Sequence, residues 1–253
     1  MSLIVHQFPC LSDNYGFLAH DEATGKTACM DTPEVAPILA ALKSQGWTLD
    51  FILNTHWHPD HAGGNAEIVA ATGATVIGPA EVTRLTPLDR EVRGGDVVML
   101  GETRLDVIES GGHTLGHIAY FDAADHIAFV GDTLFALGCG RLFEGTAEQM
   151  WKSLQRLAAL PDDTVVYCAH EYTASNARFA LSVDDGAALK ARADAIFAMR
   201  ERGEPTVPTT IGLEKATNPF LRAPLLAERV GAAGEEDYKA FGAVRAAKDV
   251  FKG

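Results

Sequence analysis

The sequence has no apolar run approaching the ~18 residues that a membrane-spanning helix needs. A helical membrane protein is therefore excluded. Its first Lys or Arg is Lys26, so the N-terminus lacks the basic region of a secretory signal and the expected location is the cytoplasm. Cysteine is scarce and scattered. Cys10, Cys29, Cys139 and Cys168 show no CxxC spacing, which argues for free thiols in a reducing compartment rather than a disulfide frame. Positive charge is also short: 21 Lys and Arg stand against 34 Asp and Glu, a formal net charge of -13. That balance disfavours non-specific contact with nucleic acid or an anionic membrane, and neither partner is expected. It also means that an anionic substrate would need a local basic patch. Internal repeats and low-complexity segments are absent, and no glycine run fits a dinucleotide fingerprint.

What is present is a chain of 253 residues, 47% hydrophobic, long enough for one large domain or for one domain with a smaller appendage. Its organising stretch is Thr55-His56-Trp57-His58-Pro59-Asp60-His61-Ala62-Gly63-Gly64-Asn65. The apolar run Phe51-Ile52-Leu53 precedes it, and a helical pattern with Ile68 and Val69 follows. Four metal-ligating side chains sit within six positions at the exit of a predicted strand. In extended chain, side chains two apart project to one side, so His56 and His58 can grip one ion together. Pro59 ends the extended run, after which Asp60 and His61 can turn toward a second ion. Imidazole nitrogen and carboxylate oxygen suit zinc and its neighbours in the transition series.

Read in order, Leu3-Ile4-Val5 and Tyr15-Gly16-Phe17-Leu18 are strands joined by a polar turn, and Thr27 to Asp31 is a third. Thr32 can cap a helix with Pro33 at its first position and Gly46 at its end. Gly73 ends the helix after the histidine-rich stretch, and Thr75 to Gly78 returns as a strand. A second ligand-rich loop, Ser110-Gly111-Gly112-His113-Thr114-Leu115-Gly116-His117, follows a strand that ends near Glu109. Ile127 to Val130 runs into Gly131-Asp132-Thr133, and Val165-Val166-Tyr167 runs into Cys168-Ala169-His170-Glu171-Tyr172. Between them a helix starts at Ala147, with Thr146 and Gln149 as a capping box. Four apolar strands thus each end in a loop carrying His or Asp, a pattern that can bring ligands to one edge of a sheet arrangement. Beyond Tyr172 the strand signal fades. Helices are expected at Ala187–Arg202 and from Glu235 to Phe251, with Asn218-Pro219-Phe220 as a turn.

With these motifs in this order, the chain resembles the metallo-β-lactamase-fold hydrolases. The downstream half narrows the resemblance. Gly138-Cys139-Gly140-Arg141-Leu142-Phe143-Glu144-Gly145-Thr146, His170-Glu171-Tyr172-Thr173, Thr217-Asn218-Pro219-Phe220 and Arg245-Ala246-Ala247-Lys248-Asp249 are similar to the hydroxyacylglutathione hydrolase (glyoxalase II) family. The likeness covers essentially the whole chain. It implies an α/β fold, a four-layer αββα sandwich over residues 1–172, followed by a small C-terminal helical domain over 173–253. It further implies two divalent metal ions, zinc first and iron or manganese as alternatives. His56, His58 and His113 would bind one ion and Asp60, His61 and His170 the other, with Asp132 and a hydroxide bridging the pair. Asp60 and Asp132 would be the catalytic carboxylates. Arg141, Phe143, Tyr172, Arg245 and Lys248 would bind the glutathione moiety of the substrate. Two positions depart from the family pattern: Arg141 stands where many members carry Lys, and Phe143 where Tyr also occurs.

The chemistry agrees with the residues. Glutathione conjugates carry two carboxylates, and from Lys239 onward the bases Lys239, Arg245, Lys248 and Lys252 face a single acid, Asp249. Arg245 and Lys248, three apart, share a helical face, and loss of Arg245 is expected to raise KM far more than it lowers kcat. His117, four after His113, reads as a hydrogen-bonding neighbour of a ligand. Asp31 either orients a ligand histidine or starts a helix. Cys139 and Cys168 read as buried small apolar residues, since a thiol nucleophile would be redundant. The expected reaction is hydrolysis of S-(2-hydroxyacyl)glutathione, such as S-D-lactoylglutathione, by a monomeric enzyme, the second step of methylglyoxal detoxification. Rival readings are a lactonase or persulfide dioxygenase of the same fold, or a non-catalytic metal-binding relative. A dioxygenase would use a single iron and lack the Asn218-Pro219-Phe220 and Arg245/Lys248 features. A non-catalytic relative would be favoured by a lost ligand, yet all seven positions are filled.

Overall fold

The computed structural model describes residues 3–253, and the chain falls into two compact units. The first comprises the chain up to Glu109 together with Gly116–Gly131; the second comprises Ser110–Leu115 and Asp132–Gly253.

The first unit holds strands β1 (Leu3–Cys10), β2 (Asn14–Asp21), β3 (Lys26–Met30), β4 (Phe51–Leu53), β5 (Thr75–Gly78) and β6 (Arg90–Glu91) in one sheet, ordered as in the sequence. β1, β2 and β3 pair antiparallel, whereas β3 to β6 run parallel. A second, antiparallel meander consists of β7 (Val97–Leu100), β8 (Thr103–Glu109), β9 (Ile118–Asp122) and β10 (Ile127–Gly131). The two sheets face each other. Phe17 of β2 meets Phe129 of β10 at 6.0 Å between ring centroids, and the Tyr120 hydroxyl of β9 donates to the Asn54 carbonyl at 2.9 Å. Helices α1 (Val35–Gln45) and α3 (Asn65–Thr72) cover the other face of the first sheet. There Ile38, Ala41, Leu42 and Ile68 bury against Leu18, Cys29, Ile52 and Val76. The burial of these apolar side chains is what holds the layers together.

The start of α1 differs from the sequence expectation. The helix begins at Val35 behind Glu34 rather than behind Thr32. Thr32 is fully buried; its hydroxyl donates to Asn65 Oδ1 and its N–H to the His61 carbonyl, both at 2.6 Å. That hydroxyl is committed to the histidine-rich segment and cannot cap α1. That segment contains the short helix α2 (Pro59–Ala62), with Pro59 at its first turn, where a missing N–H costs nothing.

The second unit begins with a hairpin, β11 (Leu134–Phe135) and β12 (Gly138–Cys139). It continues through α4 (Ala147–Ala158), β13 (Val165–Cys168), α5 (Thr173–Val183), α6 (Ala187–Glu201), β14 (Thr209–Thr210), α7 (Ile211–Thr217) and α8 (Asp237–Val250). The Thr146 hydroxyl accepts the Gln149 N–H at 3.2 Å at the start of α4, the N-cap half of the expected capping box. The Gln149 side chain instead donates to the Leu115 carbonyl at 3.3 Å, which leaves the reciprocal half unformed. α4 packs on α8 through Trp151 and Phe241, whose ring centroids are 6.0 Å apart. α5 and α6 close on a small core of Ala177, Ala180, Leu189, Ala193 and Ile196, which also takes in Leu137. Among the described residues no helix is long and apolar enough to cross a membrane.

Candidate metal centre

In the first unit the strand β4 delivers the chain to the histidine cluster, and the turn into α2 folds it back on itself. His56 Nε2 and His58 Nδ1 lie 3.0 Å apart, and the His56 and His61 rings are 4.0 Å apart between centroids. His56 and His61 are buried; His58 and Asp60 are partly open. The cluster is oriented by Asp31, which sits immediately after β3. Its Oδ2 lies 2.8 Å from His61 Nδ1 and accepts the Thr55 hydroxyl at 2.8 Å, while Oδ1 accepts the Thr55 N–H at 2.8 Å. Asp31 therefore belongs to the histidine cluster and not to the helix start. The Thr55 hydroxyl gives its one proton to Asp31, so it accepts from His56 Nδ1, 3.0 Å away. Both His56 and His61 then carry their proton on Nδ1 and present a lone pair on Nε2. Asn14 donates to the backbone oxygen and Oδ2 of Asp60, each at 3.3 Å. His117, fully buried, stacks on His56 at 4.7 Å.

The second unit holds the remaining predicted ligands. Asp132, just after β10, has His113 Nε2 3.3 Å from Oδ2 and His170 Nε2 3.4 Å from Oδ1. One carboxylate thus faces two imidazoles, one oxygen to each. His113 Nδ1 lies 2.9 Å from the Arg141 carbonyl, an acceptor only, so its Nε2 also presents a lone pair. A lone pair aimed at a carboxylate oxygen is repulsive unless a metal ion or a proton lies between the two. Metal–ligand bonds of about 2.0–2.1 Å in a tetrahedral shell place neighbouring donor atoms about 3.3–3.4 Å apart, which matches both separations. The donor chemistry and spacing of this half-set fit a divalent metal.

Around these ligands, Tyr172 stacks on His170 at 4.6 Å with the rings nearly parallel, and Phe143 meets His113 edge-on at 5.2 Å. Both are exposed, as is Arg141. Lys248 is half-buried and donates to the Ser175 hydroxyl and carbonyl at 3.1 Å. Arg245 is only 5% exposed; its Nη1 donates to the Cys139 carbonyl at 2.9 Å, and its Nη2 to Asp249 at 3.0 Å. The four cysteines are buried and free. Burial pushes the Cys139 thiol up to about 11 and that of Cys168 to about 12, which removes both as neutral-pH nucleophiles. Sequence reasoning missed Asn14 and Asn176. It quoted Thr55 without assigning it a role, although its place beside His56 was a usable signal.

Comparison with known proteins narrows the chemistry. The family profile of the metallo-beta-lactamase superfamily matches residues 27–170, and that of the hydroxyacylglutathione hydrolase C-terminus matches residues 171–251. The chain is 57% identical over 252 residues to a hydroxyacylglutathione hydrolase of Erythrobacter litoralis, covering 98% of this chain and 100% of the relative. It is 54% identical over 253 residues to that of Maricaulis maris, covering 98% and 99%. Among solved structures, ETHE1 from Myxococcus xanthus superposes with a TM-score of 0.69 at 28% identity, covering 97% of this chain and 98% of that one. TTHA1623 in a di-iron-bound form gives a TM-score of 0.63 at 25% identity over 86% and 100% of the two chains. The mixed α/β fold with its sheet sandwich is that of the metallo-β-lactamases, and the C-terminal helical region is that of the hydroxyacylglutathione hydrolases.

Proposed function

Because the chain belongs to the hydroxyacylglutathione hydrolase family of the metallo-β-lactamase superfamily, we propose that it hydrolyses S-(2-hydroxyacyl)glutathione, S-D-lactoylglutathione above all. The products are glutathione and a 2-hydroxy acid, here D-lactate. The observation that carries this reading is the match of residues 171–251 to the hydroxyacylglutathione hydrolase C-terminus, since the histidine-rich segment from His56 to His61 specifies only the superfamily. Residues 1–172 form the catalytic domain in this reading and 173–253 the helical substrate-binding domain.

The ligand assignment follows the same reading: His56, His58 and His113 for one ion, Asp60, His61 and His170 for the other, Asp132 shared. Zinc is the first candidate and iron the alternative, the latter supported by the di-iron form of TTHA1623. When bound, two divalent ions lower the pKa of water toward neutrality and polarise the thioester carbonyl. The rest of the work falls to the chain. Asp60, held by Asn14, orients the attacking water and takes its proton. A C–O bond forms at the carbonyl carbon and the C–S bond breaks. The glutathione thiol, with a pKa near 8.5, departs as thiolate without a dedicated acid. Arg141 and Lys248, with Tyr172, Phe143 and Arg245, hold the glutathione moiety against the acidic background of the protein. The reaction is cytoplasmic and the enzyme a monomer in this reading.

Release of free thiol from S-D-lactoylglutathione by metal-replete protein tests the assignment. Turnover is expected for the wild type and its loss, with loss of one ion, for Asp60→Ala. A wild type that releases no thiol would refute the reading.

A further inference from the structure

Between Asp132 and Arg141, whose carbonyl holds the His113 ring, the chain makes the β11–β12 hairpin. Gly140 N–H donates to the Thr133 carbonyl at 3.4 Å and closes its base. The tip is held from outside. Asn218 Nδ2 donates to the carbonyls of Phe135 at 3.1 Å and Gly138 at 2.9 Å. Asn176 Nδ2 donates to the Ala136 carbonyl at 3.1 Å, the Leu137 N–H donates to Glu214 Oε2 at 2.9 Å, and Arg245 takes the Cys139 carbonyl. Each residue from 135 to 139 therefore has a backbone group satisfied by a side chain of α5, α7, the residue that ends α7, or α8. Leu137 has a positive φ of 56°, which costs a non-glycine residue about 1–2 kcal/mol and persists only where neighbours over-determine it.

The cradle is itself anchored. Glu214 is fully buried, ion-paired with Arg192, and accepts the Thr209 hydroxyl at 2.6 Å and Asn218 Nδ2 at 2.9 Å. Asn218, also fully buried, accepts the Phe220 N–H at 2.9 Å through its Oδ1, so its amide cannot rotate without breaking that bond. The side-chain polar atoms of Glu214 and Asn218 are all hydrogen-bonded, and a satisfied buried network is rigid. Asp132 lies three residues before this held segment and Arg141 two after it, so a shift of the hairpin displaces both the shared carboxylate and the carbonyl that orients His113.

We propose that Asn218, Glu214 and Asn176 are positioning residues for the metal half-set of Asp132 and His113, acting through the 135–139 backbone, so that metal affinity there is set by the helical region. The proposal rests on the metal-binding reading above. Partners that orient a ligand typically change metal affinity 10–100-fold when lost.

The test is zinc affinity, measured by competition with a chelator, on the full chain. Asn218→Ala is expected to weaken the binding of at least one zinc by about 10-fold or more and to lower kcat with little change in KM. Ile38→Ala, in the α1 core, serves as a variant destabilised elsewhere, and wild-type zinc affinity is expected there. Asn176→Ala removes a single hydrogen bond from the cradle and decides the matter should Asn218→Ala not fold. Its expected effect is a several-fold loss of affinity. Wild-type zinc affinity in Asn176→Ala, or in folded Asn218→Ala, would overturn the proposal. A wild type that binds no zinc would refute the metal reading and this proposal together, which separates that failure from a failure of the cradle alone.

Discussion

Asp31 Oδ2 stands 2.8 Å from Nδ1 of His61 and fixes which nitrogen of that ring carries the proton. The same carboxylate accepts both Thr55 donors, and through Thr55 it fixes His56 as well. Asp31→Asn preserves size and tolerates the residue's positive φ of 59°, yet removes the charge and offers only one acceptor oxygen. Zinc affinity is expected to fall 10–100-fold, with secondary structure by circular dichroism unchanged. Undiminished affinity would show that Asp31 does not set the His61 ring.

Lys248 gives the account a pH signature. Burial first, then the positive charges of Arg245, Arg178 and Arg141, bring its ammonium down from 10.5 to about 8. Its charge is lost as the pH rises through about 8, and with it the attraction for a substrate carboxylate. KM for S-D-lactoylglutathione is expected to rise above that pH, with kcat less affected. Lys248→Arg, charged throughout, should flatten the rise. A folded-state pKa below the unfolded one makes this group's contribution to stability grow between about 8 and 10.5, so unfolding of the site does not mimic the effect. The same KM slope in Lys248→Arg would exclude Lys248 from substrate binding.

Arg245 separates from Lys248 by its burial. Its guanidinium donates to Cys139 and Asp249 and lies 4.9 Å over the Phe220 ring. Arg245→Ala is therefore expected to cost stability as well as substrate affinity, about 2–3 kcal/mol, or roughly 5–10 °C in Tm for a chain of this size. Lys248→Ala should shift Tm by less than half as much. Equal Tm values for Arg245→Ala and wild type by calorimetry would show that the buried contacts carry no weight.

Acid stability tests the first unit. Asp21 is nearly inaccessible and receives the N–H groups of Glu102, Thr103, Ala23 and Thr24. Burial alone would raise its pKa, but the four donors together bring it below 3.8. A carboxylate with a depressed folded pKa stabilises above its unfolded pKa, near 3.9, and loses that contribution as the pH falls through the folded value. Asp21→Asn should therefore be less stable at pH 7 by about 2–4 kcal/mol in urea unfolding, with the gap narrowing below about pH 4. A gap independent of pH would mean that the charge contributes nothing.

Strand β9 and the two-residue strands β6, β11, β12 and β14 went unread in the sequence. The strands β1 to β5, β8, β10 and β13, the capped helix α4 and the ligand loops were legible because each carries a local signal: apolar runs, Thr146 with Gln149, histidines at fixed spacing. Helix α5 was not. Its sequence, Thr173-Ala-Ser-Asn-Ala-Arg-Phe-Ala-Leu-Ser-Val183, mixes Ser, Thr and Asn with no side-chain cap, and tertiary contacts fix it instead. Asn218 read as a turn residue before proline and Glu214 drew no reading, because their partners on the hairpin lie about 80 residues away along the chain. Thr32 looked like a helix cap until the fold brought Asn65 to its hydroxyl. Long-range polar commitments of this kind leave no periodic trace.

The most direct measurement is the metal-to-chain ratio of active protein, by elemental analysis, taken with thiol release from S-D-lactoylglutathione before and after chelation. The account predicts a ratio close to two, activity lost on chelation, and activity restored by added divalent metal. Full thiol release from a chain carrying no metal would contradict it.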